Sequence, residues 1–227
     1  MITADLIPLV LLGAVLGLDV VSFPQAQVSR PIVAATIAGA FAGSAVAGLL
    51  IGAVLELIAL ETLPVGASRY PEWGSAAVVG GALFASPAEI APGAMTVCVL
   101  VALVTAWVGG LSMVLLRKQN AVWARKRRER LEAGSRQTVV RLQIGGLTAD
   151  MVRGGLLTLL ALLAFRPLVR LALEHWSLDP RLSRAIVVGT AAAVAGGAVW
   201  KLFHNAHHAR WYLLGGAVAG VLLVSVL

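Results

Sequence analysis

The sequence predicts an all-α fold, namely a polytopic membrane helical bundle with broken or re-entrant segments. Of the 227 residues, 59% are hydrophobic and 13% are charged, and the mean hydropathy is +0.89. In a soluble domain about a quarter of the residues are charged, so this chain has too few charged residues to cover a water-facing surface. Apolar stretches of about 20 residues, the length that spans a bilayer, also recur along the chain. We therefore predict a single multi-pass membrane domain over residues 1–227.

The first two apolar runs differ in length. The run from Thr3 to Ser22 has no basic residue before it, which favours a retained first span over a signal peptide. After a polar segment, 22–30, the run from Ile32 to Pro64 is too long for one upright span. Thirty residues of helix measure about 45 Å, against about 30 Å for the hydrocarbon core of a bilayer. The glycines from Gly43 to Gly48 predict a break there.

The rest of the chain predicts one short apolar segment and four spans. Residues 75–85 are apolar but few, which is typical of a re-entrant or shallow segment. The predicted spans are 93–116, 144–165, 185–202 and 211–227.

Nine of the 18 Lys and Arg residues lie in the segment 117–141. Basic composition can indicate nucleic acid binding, but the surrounding hydrophobicity excludes that interpretation. The positive-inside rule instead predicts that this segment is a cytoplasmic loop. Counting spans forward then puts 201–210 inside, in agreement with the rule. It also puts 166–184 outside with four arginines, which departs from the rule.

Small residues recur at four-residue spacing in the second apolar run. This spacing lets helix backbones approach closely in lipid, either within the chain or at a subunit interface. The residues concerned are Ala35, Gly39, Gly43, Ala47, Gly48 and Gly52. Glycines recur again after residue 185, as in transporters with two related halves, so an inverted repeat is an open alternative.

Five ionisable residues fall at predicted membrane depth, where a charge costs about 2.5–3.5 kcal/mol on insertion scales. Glu56 has apolar neighbours on both sides, which favours a functional role over the alternative of pairing with Arg30. Asp19 lies near the end of its span and is open between a functional and an interfacial role. Glu61 is expected at the interface. Asp150 and Arg153 share a helix face and are expected to neutralise each other.

Other polar residues give weaker indications. The amides of Gln25 and Gln27 lie between two spans and can donate to and accept from the hydroxyls of a sugar, or face water as loop residues. His204, His207 and His208 are interpreted as interfacial residues and not as a metal site. Cys98 is interpreted as a small buried hydrophobe. We expect no cofactor, since no phosphate loop, nucleophile elbow or cysteine pair is present.

Four motifs occur in order along the first part of the chain. They are Gly17-Leu-Asp19, Gln25-x-x-x-Ser29-Arg30-Pro31, Gly48-Leu-Leu-Ile-Gly52-Ala-Val-Leu-Glu56, and Leu63-Pro64-Val65-Gly66-Ala67. In order and spacing they resemble the IIC subunit of mannose/sorbose-type sugar phosphotransferase systems. The segment from Arg117 to Asn120 resembles the middle region of that family.

The resemblance implies a multi-pass subunit of the bacterial inner membrane that binds and translocates a hexose-like sugar. It implies a IID membrane subunit and cytoplasmic IIA and IIB phosphocarriers as partners, an oligomeric assembly, and no phosphorylation site on this chain. By position, it assigns sugar binding to Glu56 and to the segment from Asp19 to Gln27, which includes Gln25. It also assigns Glu72, the acidic residue after the Pro-Val-Gly-Ala turn.

Three positions depart from the family's pattern. Ser44 stands where an acidic residue is usual, Glu61 where a glycine is common, and Gln143 where a histidine is frequent. The first two motivate an alternative function, a non-transporting membrane scaffold that tethers IIB-type regulators. A third reading, a metal-dependent membrane enzyme that uses the histidines, predicts tightly bound metal in the purified protein.

Overall fold

The computed structural model of the chain describes residues 6–19, 22–62, 69–86 and 91–226. In these ranges it has nine α-helices, one 3-10 turn (Leu60–Thr62) and no strand, which confirms the all-α prediction. The helices are α1 (Leu6–Asp19), α2 (Pro31–Ala42), α3 (Ala45–Ala59), α4 (Trp73–Ala85), α5 (Ala94–Arg125), α6 (Arg128–Glu132), α7 (Arg136–Glu174), α8 (Pro180–Phe203) and α9 (Ala209–Val226).

Four helical segments among the described residues are long and apolar enough to cross a membrane. They are Ala45–Thr62, α5, α7 and α8. The apolar helices α1, α2, α4 and α9 are shorter. The protein is therefore a multi-pass helical membrane bundle in which full spans are combined with short helices. This agrees with the predicted bundle with broken segments.

The long second apolar run breaks within the predicted interval. Helix α2 ends at Ala42, and Gly43 takes the left-handed conformation with φ +116°, which only glycine adopts readily. Ser44 then begins α3 by accepting a hydrogen bond at its side chain from the Ala47 N–H, 3.1 Å away. Serine and aspartate are equally good N-caps, so the departure at Ser44 preserves this turn.

The predicted small residues bring α2 and α3 together as an antiparallel hairpin. A Cβ atom on Gly39 would lie 2.6 Å from the Cα of Gly48, and one on Gly52 would lie 2.9 Å from the Pro31 carbonyl oxygen. Glycine at these points therefore permits backbone-to-backbone contact. The packing interpretation of this pattern is confirmed.

The short helix α4 lies at the centre of the bundle, where it packs against α1, α2, α3, α5 and α7. All 13 of its residues are buried. The sequence predicted a short segment here correctly, but it did not predict this central position. Small residues allow the approach, since a Cβ on Gly81 would lie 2.6 Å from the Ala35 carbonyl oxygen.

Helices α5 and α7 extend beyond their predicted spans into the basic segment. Helix α5 continues to Arg125, and α7 contains 39 residues, about 58 Å of helix. It also continues through Pro167, so much of the predicted outer loop is helical. The prediction was short because hydropathy marks the part of a helix in the bilayer, whereas its hydrogen bonds continue into water.

The basic segment and most of the polar residues predicted to bind sugar lie at one common end of the bundle. Helix α1 runs antiparallel to α7, since Gly17 meets Gly154 and Gly13 meets Thr158. After α1, the Ser22 hydroxyl donates to the Asp150 Oδ2 at 2.5 Å, in the half of α7 that lies nearer to the basic segment. At that end, Glu61 pairs with Lys201 at 3.0 Å, with both side chains exposed.

Candidate functional site

Asp19 ends α1 and is completely buried. One carboxylate oxygen accepts from the Ala26 N–H at 2.6 Å. The other accepts from the backbone N–H of Ser29 at 2.9 Å and from its hydroxyl at 2.8 Å. Three donors explain how a carboxylate is retained here, because buried charges need hydrogen-bonding partners. Asp19 therefore holds the polar segment between α1 and α2 in a fixed shape.

The polar segment itself has an unusual backbone. Gln25 has φ 61° and Gln27 has φ 63°, both in the left-handed region that few residues other than glycine adopt. Such conformations cost about 1–3 kcal/mol each and cluster at binding sites. Both side chains are exposed. The segment is therefore held against its own backbone preference, with Asp19 as its anchor.

Glu56 forms an ion pair with Arg30, and its Oε2 also accepts from the Ile32 N–H at 3.2 Å. The glutamate lies near the end of α3, and Arg30 directly precedes α2. This is the pairing that the sequence left open as the alternative role of Glu56. The pair joins the two ends of the α2–α3 hairpin opposite the Gly43 turn.

Glu72 precedes α4 and caps it, since its Oε1 accepts from the Ser75 N–H at 3.0 Å. Its own backbone N–H donates to the Ala106 carbonyl at 2.9 Å. The residue is 1% exposed, and its Oε2 is buried with no hydrogen-bond partner among the described residues. Burying a carboxylate with only one oxygen hydrogen-bonded costs free energy. Of the candidate residues, Glu72 is therefore the one whose burial is least explained by helix packing.

A small cavity of about 50 Å³ brings part of the predicted site together. It is lined by Asp19, Gln27, Ser29, Arg30, Pro31, Ala59, Thr62 and Trp73. Glu56 reaches this site only through its partner Arg30, and Gln25 and Glu72 do not line it. The predicted Leu63–Ala67 turn lies outside the described residues. In this conformation the cavity is too small for a hexose, since one water accounts for about 30 Å³.

The predicted pair of Asp150 and Arg153 is confirmed at 2.8 Å, with 5% and 9% of the side chains exposed. Arg153 also donates to the Ser112 hydroxyl and to the Gly17 carbonyl, each at 3.2 Å. The pair thus links α7 to α5 and α1. Its role in the described residues is to join three helices across the bundle.

A larger cavity of about 350 Å³ lies between the ends of α5 and α7. Its polar lining residues are Ser22, Arg117, Asn120, Gln143 and Asp150. The sequence alone did not indicate this site. Its signal is the polar spacing on two helices, with Arg117 and Asn120 three apart and Gln143 and Asp150 seven apart, which places each pair on one face.

His204, His207 and His208 lie at the exposed junction of α8 and α9. Among the described residues, no group of three or more His, Cys, Asp or Glu side chains is arranged to hold a metal ion. Cys98 is buried in α5, where the sequence placed it.

Residues 3–227 match the protein family described as the sorbose-specific IIC component of the PTS system. The sorbose-specific EIIC component of the PTS system of Klebsiella pneumoniae is 24% identical to this chain over 151 residues. The match covers 66% of this chain and 55% of the relative, so it spans about half the length of that curated protein.

Two solved structures share the fold. A structure described as that of a membrane protein has a TM-score of 0.75 and 16% identity, covering 100% of this chain and 92% of the other. The cryo-EM structure of the mannose transporter ManYZ in complex with microcin E492 has a TM-score of 0.63 and 18% identity. That match covers 97% of this chain and 87% of the other. At these identities the likeness is one of fold.

Proposed function

The chain belongs to the family of sorbose-specific IIC components, the sugar-transport subunits of phosphotransferase systems, and from this premise we propose that it binds and translocates a hexose-like sugar across the bacterial inner membrane. The movement is coupled to phosphorylation of the sugar by partner subunits. This chain supplies the membrane passage and not the phosphoryl transfer.

The observation that carries the proposal is the convergence of polar groups at one end of an apolar bundle. Asp19, Gln27 and Arg30 meet at one small cavity, and Glu56 joins it through Arg30. Carboxylate and amide oxygens accept hydrogen bonds from sugar hydroxyls, and amide and guanidinium groups donate to them. Gln27, one of the two residues of this segment with left-handed backbone, lines the cavity directly.

In the proposal, the cavity of about 50 Å³ is the closed form of the sugar site. The sugar enters when the α2–α3 hairpin moves away from α1 and α4, and its hydroxyls replace bonds that the protein makes to itself. The Arg30–Glu56 pair is one such bond, because it closes the hairpin next to the cavity. Glu72, whose Oε2 has no partner among the residues that the structure describes, provides a further acceptor close to the start of α4.

The proposed partners are a IID membrane subunit, cytoplasmic IIA and IIB phosphocarriers and further copies in an oligomer. Support for a membrane partner comes from α8 and α9, whose glycines have open space where a side chain would project. These are Gly189, Gly196, Gly197, Gly215, Gly216 and Gly220. In lipid, such exposed small-residue faces suit close packing against another helix.

The proposal is tested by sugar uptake in cells that express the complete system. Glu56→Gln removes the charge and leaves a side chain of nearly equal shape, and uptake is compared at equal membrane abundance. Glu132→Gln is the matched control, since Glu132 also pairs with an arginine but is exposed at 62%. We expect loss of uptake for Glu56→Gln alone, and unchanged uptake would remove Glu56 from the site.

One observation favours the second candidate, a non-transporting scaffold derived from this family. Asp19 and Glu56 both use their oxygens within the protein, and the cavity beside them is small. A scaffold would keep the fold and the partner contacts without binding sugar. Equilibrium binding of radiolabelled mannose and sorbose to the purified complex distinguishes the two, because only the transporter binds either sugar saturably.

A further inference from the structure

The cavity between α5 and α7 is separate from the site proposed above and differs from it in size. Its volume of about 350 Å³ falls within the range of roughly 300–1,000 Å³ that is typical of small-molecule sites. One wall is a face of α5 that includes Arg117, Asn120 and Trp123, and the opposite wall is a face of α7 that includes Gln143 and Gly146. It therefore has room for a ligand of monosaccharide size.

Arg117 gives the cavity an unbalanced positive charge. Its guanidinium donates to the Tyr70 hydroxyl at 2.9 Å and lies 5.3 Å from the centre of the Tyr70 ring. No carboxylate of the described residues forms an ion pair with it. The other charge in the lining, Asp150, is neutralised by Arg153. Because guanidinium groups match phosphate oxygens in geometry, the positive charge of Arg117 favours a phosphorylated ligand.

Asn120 indicates that the ligand also carries a hydrogen-bond donor. Its Oδ1 is buried and has no hydrogen-bond partner among the described residues. A buried amide oxygen without a partner costs desolvation energy, which a hydroxyl donor from a ligand would recover. Next to it, the α7 backbone at Gly146 carries no side chain, and a Cβ there would lie 3.5 Å from the Asn120 Nδ2. The absence of that side chain keeps the space beside the amide open.

From these groups we propose that the cavity binds a phosphate ester with free hydroxyls. The phosphate lies at Arg117, and a hydroxyl donates to the Asn120 Oδ1 when the amide turns toward the space beside Gly146. Two sources share this chemistry, a soluble sugar phosphate and the headgroup of phosphatidylglycerol. The site does not depend on the transport proposal, although that proposal would form a sugar phosphate as its product.

The test uses the full chain, purified and placed in nanodiscs of phosphatidylcholine alone or with phosphatidylglycerol. Binding of glucose 6-phosphate is measured by isothermal titration calorimetry, with glucose and inorganic phosphate as separate probes. Bound phosphatidylglycerol is measured by native mass spectrometry. If the sugar phosphate is the ligand, it binds saturably in phosphatidylcholine alone. If the lipid is the ligand, phosphatidylglycerol is retained by the protein instead.

Two pairs of variants localise the binding. Gly146→Leu fills the cavity, and Gly145→Leu is its control because a side chain there meets open space. Arg117→Gln removes the cavity charge, and Lys118→Gln removes the neighbouring exposed charge. We expect the affinity for the ester to fall at least about tenfold in Gly146→Leu and in Arg117→Gln, since hydrogen bonds to charged groups are the strong ones. The controls keep it.

The proposal is overturned if neither ester binds, or if Gly146→Leu binds the ester as tightly as Gly145→Leu. If inorganic phosphate binds as tightly as the ester, the hydroxyl has no role in binding. If glucose binds as tightly as the ester, the phosphate has none. Since the readout is binding, failure here leaves the uptake test of Glu56 unaffected, and failure of uptake leaves this test unaffected.

Discussion

Glu56 and Arg30 form an ion pair although they lie 26 positions apart in the chain. Glu56 lies within the last turn of the apolar helix α3, and Arg30 precedes the proline that begins α2. The Gly43 turn folds the two helices against each other and so brings the charges together. The carboxylate that most clearly needs an explanation in the sequence therefore has a protein partner.

We expect the double variant Arg30→Gln/Glu56→Gln to regain the thermal stability that either single variant loses. Each single change leaves the remaining charge without its partner, which would cost about 3–5 kcal/mol for a fully buried pair. The cost is smaller here, because 27% of Arg30 and 18% of Glu56 are exposed. The measurement is the unfolding temperature of the purified protein in detergent.

The same double variant separates structure from transport. If Glu56 serves only to neutralise Arg30, uptake returns together with stability. We expect uptake to remain lost, because the sugar loses an acceptor that the glutamine pair does not replace. Recovered uptake in the double variant would argue that Glu56 is a packing residue.

Glu72→Gln is expected to leave the unfolding temperature unchanged or to raise it. The substitution keeps an oxygen for the Ser75 N–H, and it removes a charge whose Oε2 is buried without a partner in the described part of the chain. The gain comes from the lost charge, because a neutral amide costs less to bury than a carboxylate even though its NH2 takes the place of Oε2. Sugar uptake should nevertheless fall at least tenfold if Glu72 accepts from a hydroxyl. A lower unfolding temperature with normal uptake would contradict both statements.

Gly48→Ala should destabilise the protein by about 1–3 kcal/mol, because overpacking at a helix contact forces the backbones apart. The added methyl would meet the Ala35 carbonyl oxygen and lie 3.0 Å from the Cα atoms of Gly39 and Thr36. Gly196→Ala is the control, since it adds the same methyl to α8 in open space. Thermal unfolding in detergent compares the two, and equal unfolding temperatures would mean that α2 and α3 are not in close contact.

The orientation is expected to place Lys118 and Lys201 on the cytoplasmic side and Arg181 on the outer side. Single cysteines at these exposed positions test this in a Cys98→Ser background, where no native thiol remains. A membrane-impermeant maleimide should label the first two only in inside-out vesicles and the third only in right-side-out vesicles. The reverse pattern would invert the topology.

Features that depend on neighbours in the chain were predicted well. The break near Gly43 follows from the limited length of a membrane span, and the pair of Asp150 and Arg153 follows from three-residue spacing on a helix. The family was also predicted from short motifs and is confirmed over residues 3–227. The extent of α7 was underestimated because hydropathy does not report where a helix ends in water.

Features that depend on how helices dock were not predicted. Nothing in the local sequence of α4 indicates that it fills the centre of the bundle. Nor does it indicate that Glu72 is buried there with one oxygen unpartnered within the described ranges. The cavity between α5 and α7 likewise requires Asn120 and Gln143 to face each other from separate helices. Side-chain spacing fixes a face of one helix, but it does not specify which helix that face meets.

By itself, the sequence determined the membrane class, the helical segments, the broken second run and the family, because hydropathy and glycine spacing act over a few helical turns. The tertiary structure alone decided which charges on different helices are paired, as for Glu56 and Arg30. It also decided which polar oxygens of the described residues lack partners, and where space remains for a ligand. Those properties arise from contacts between residues distant in the chain, and packing of small residues determines which of those contacts form.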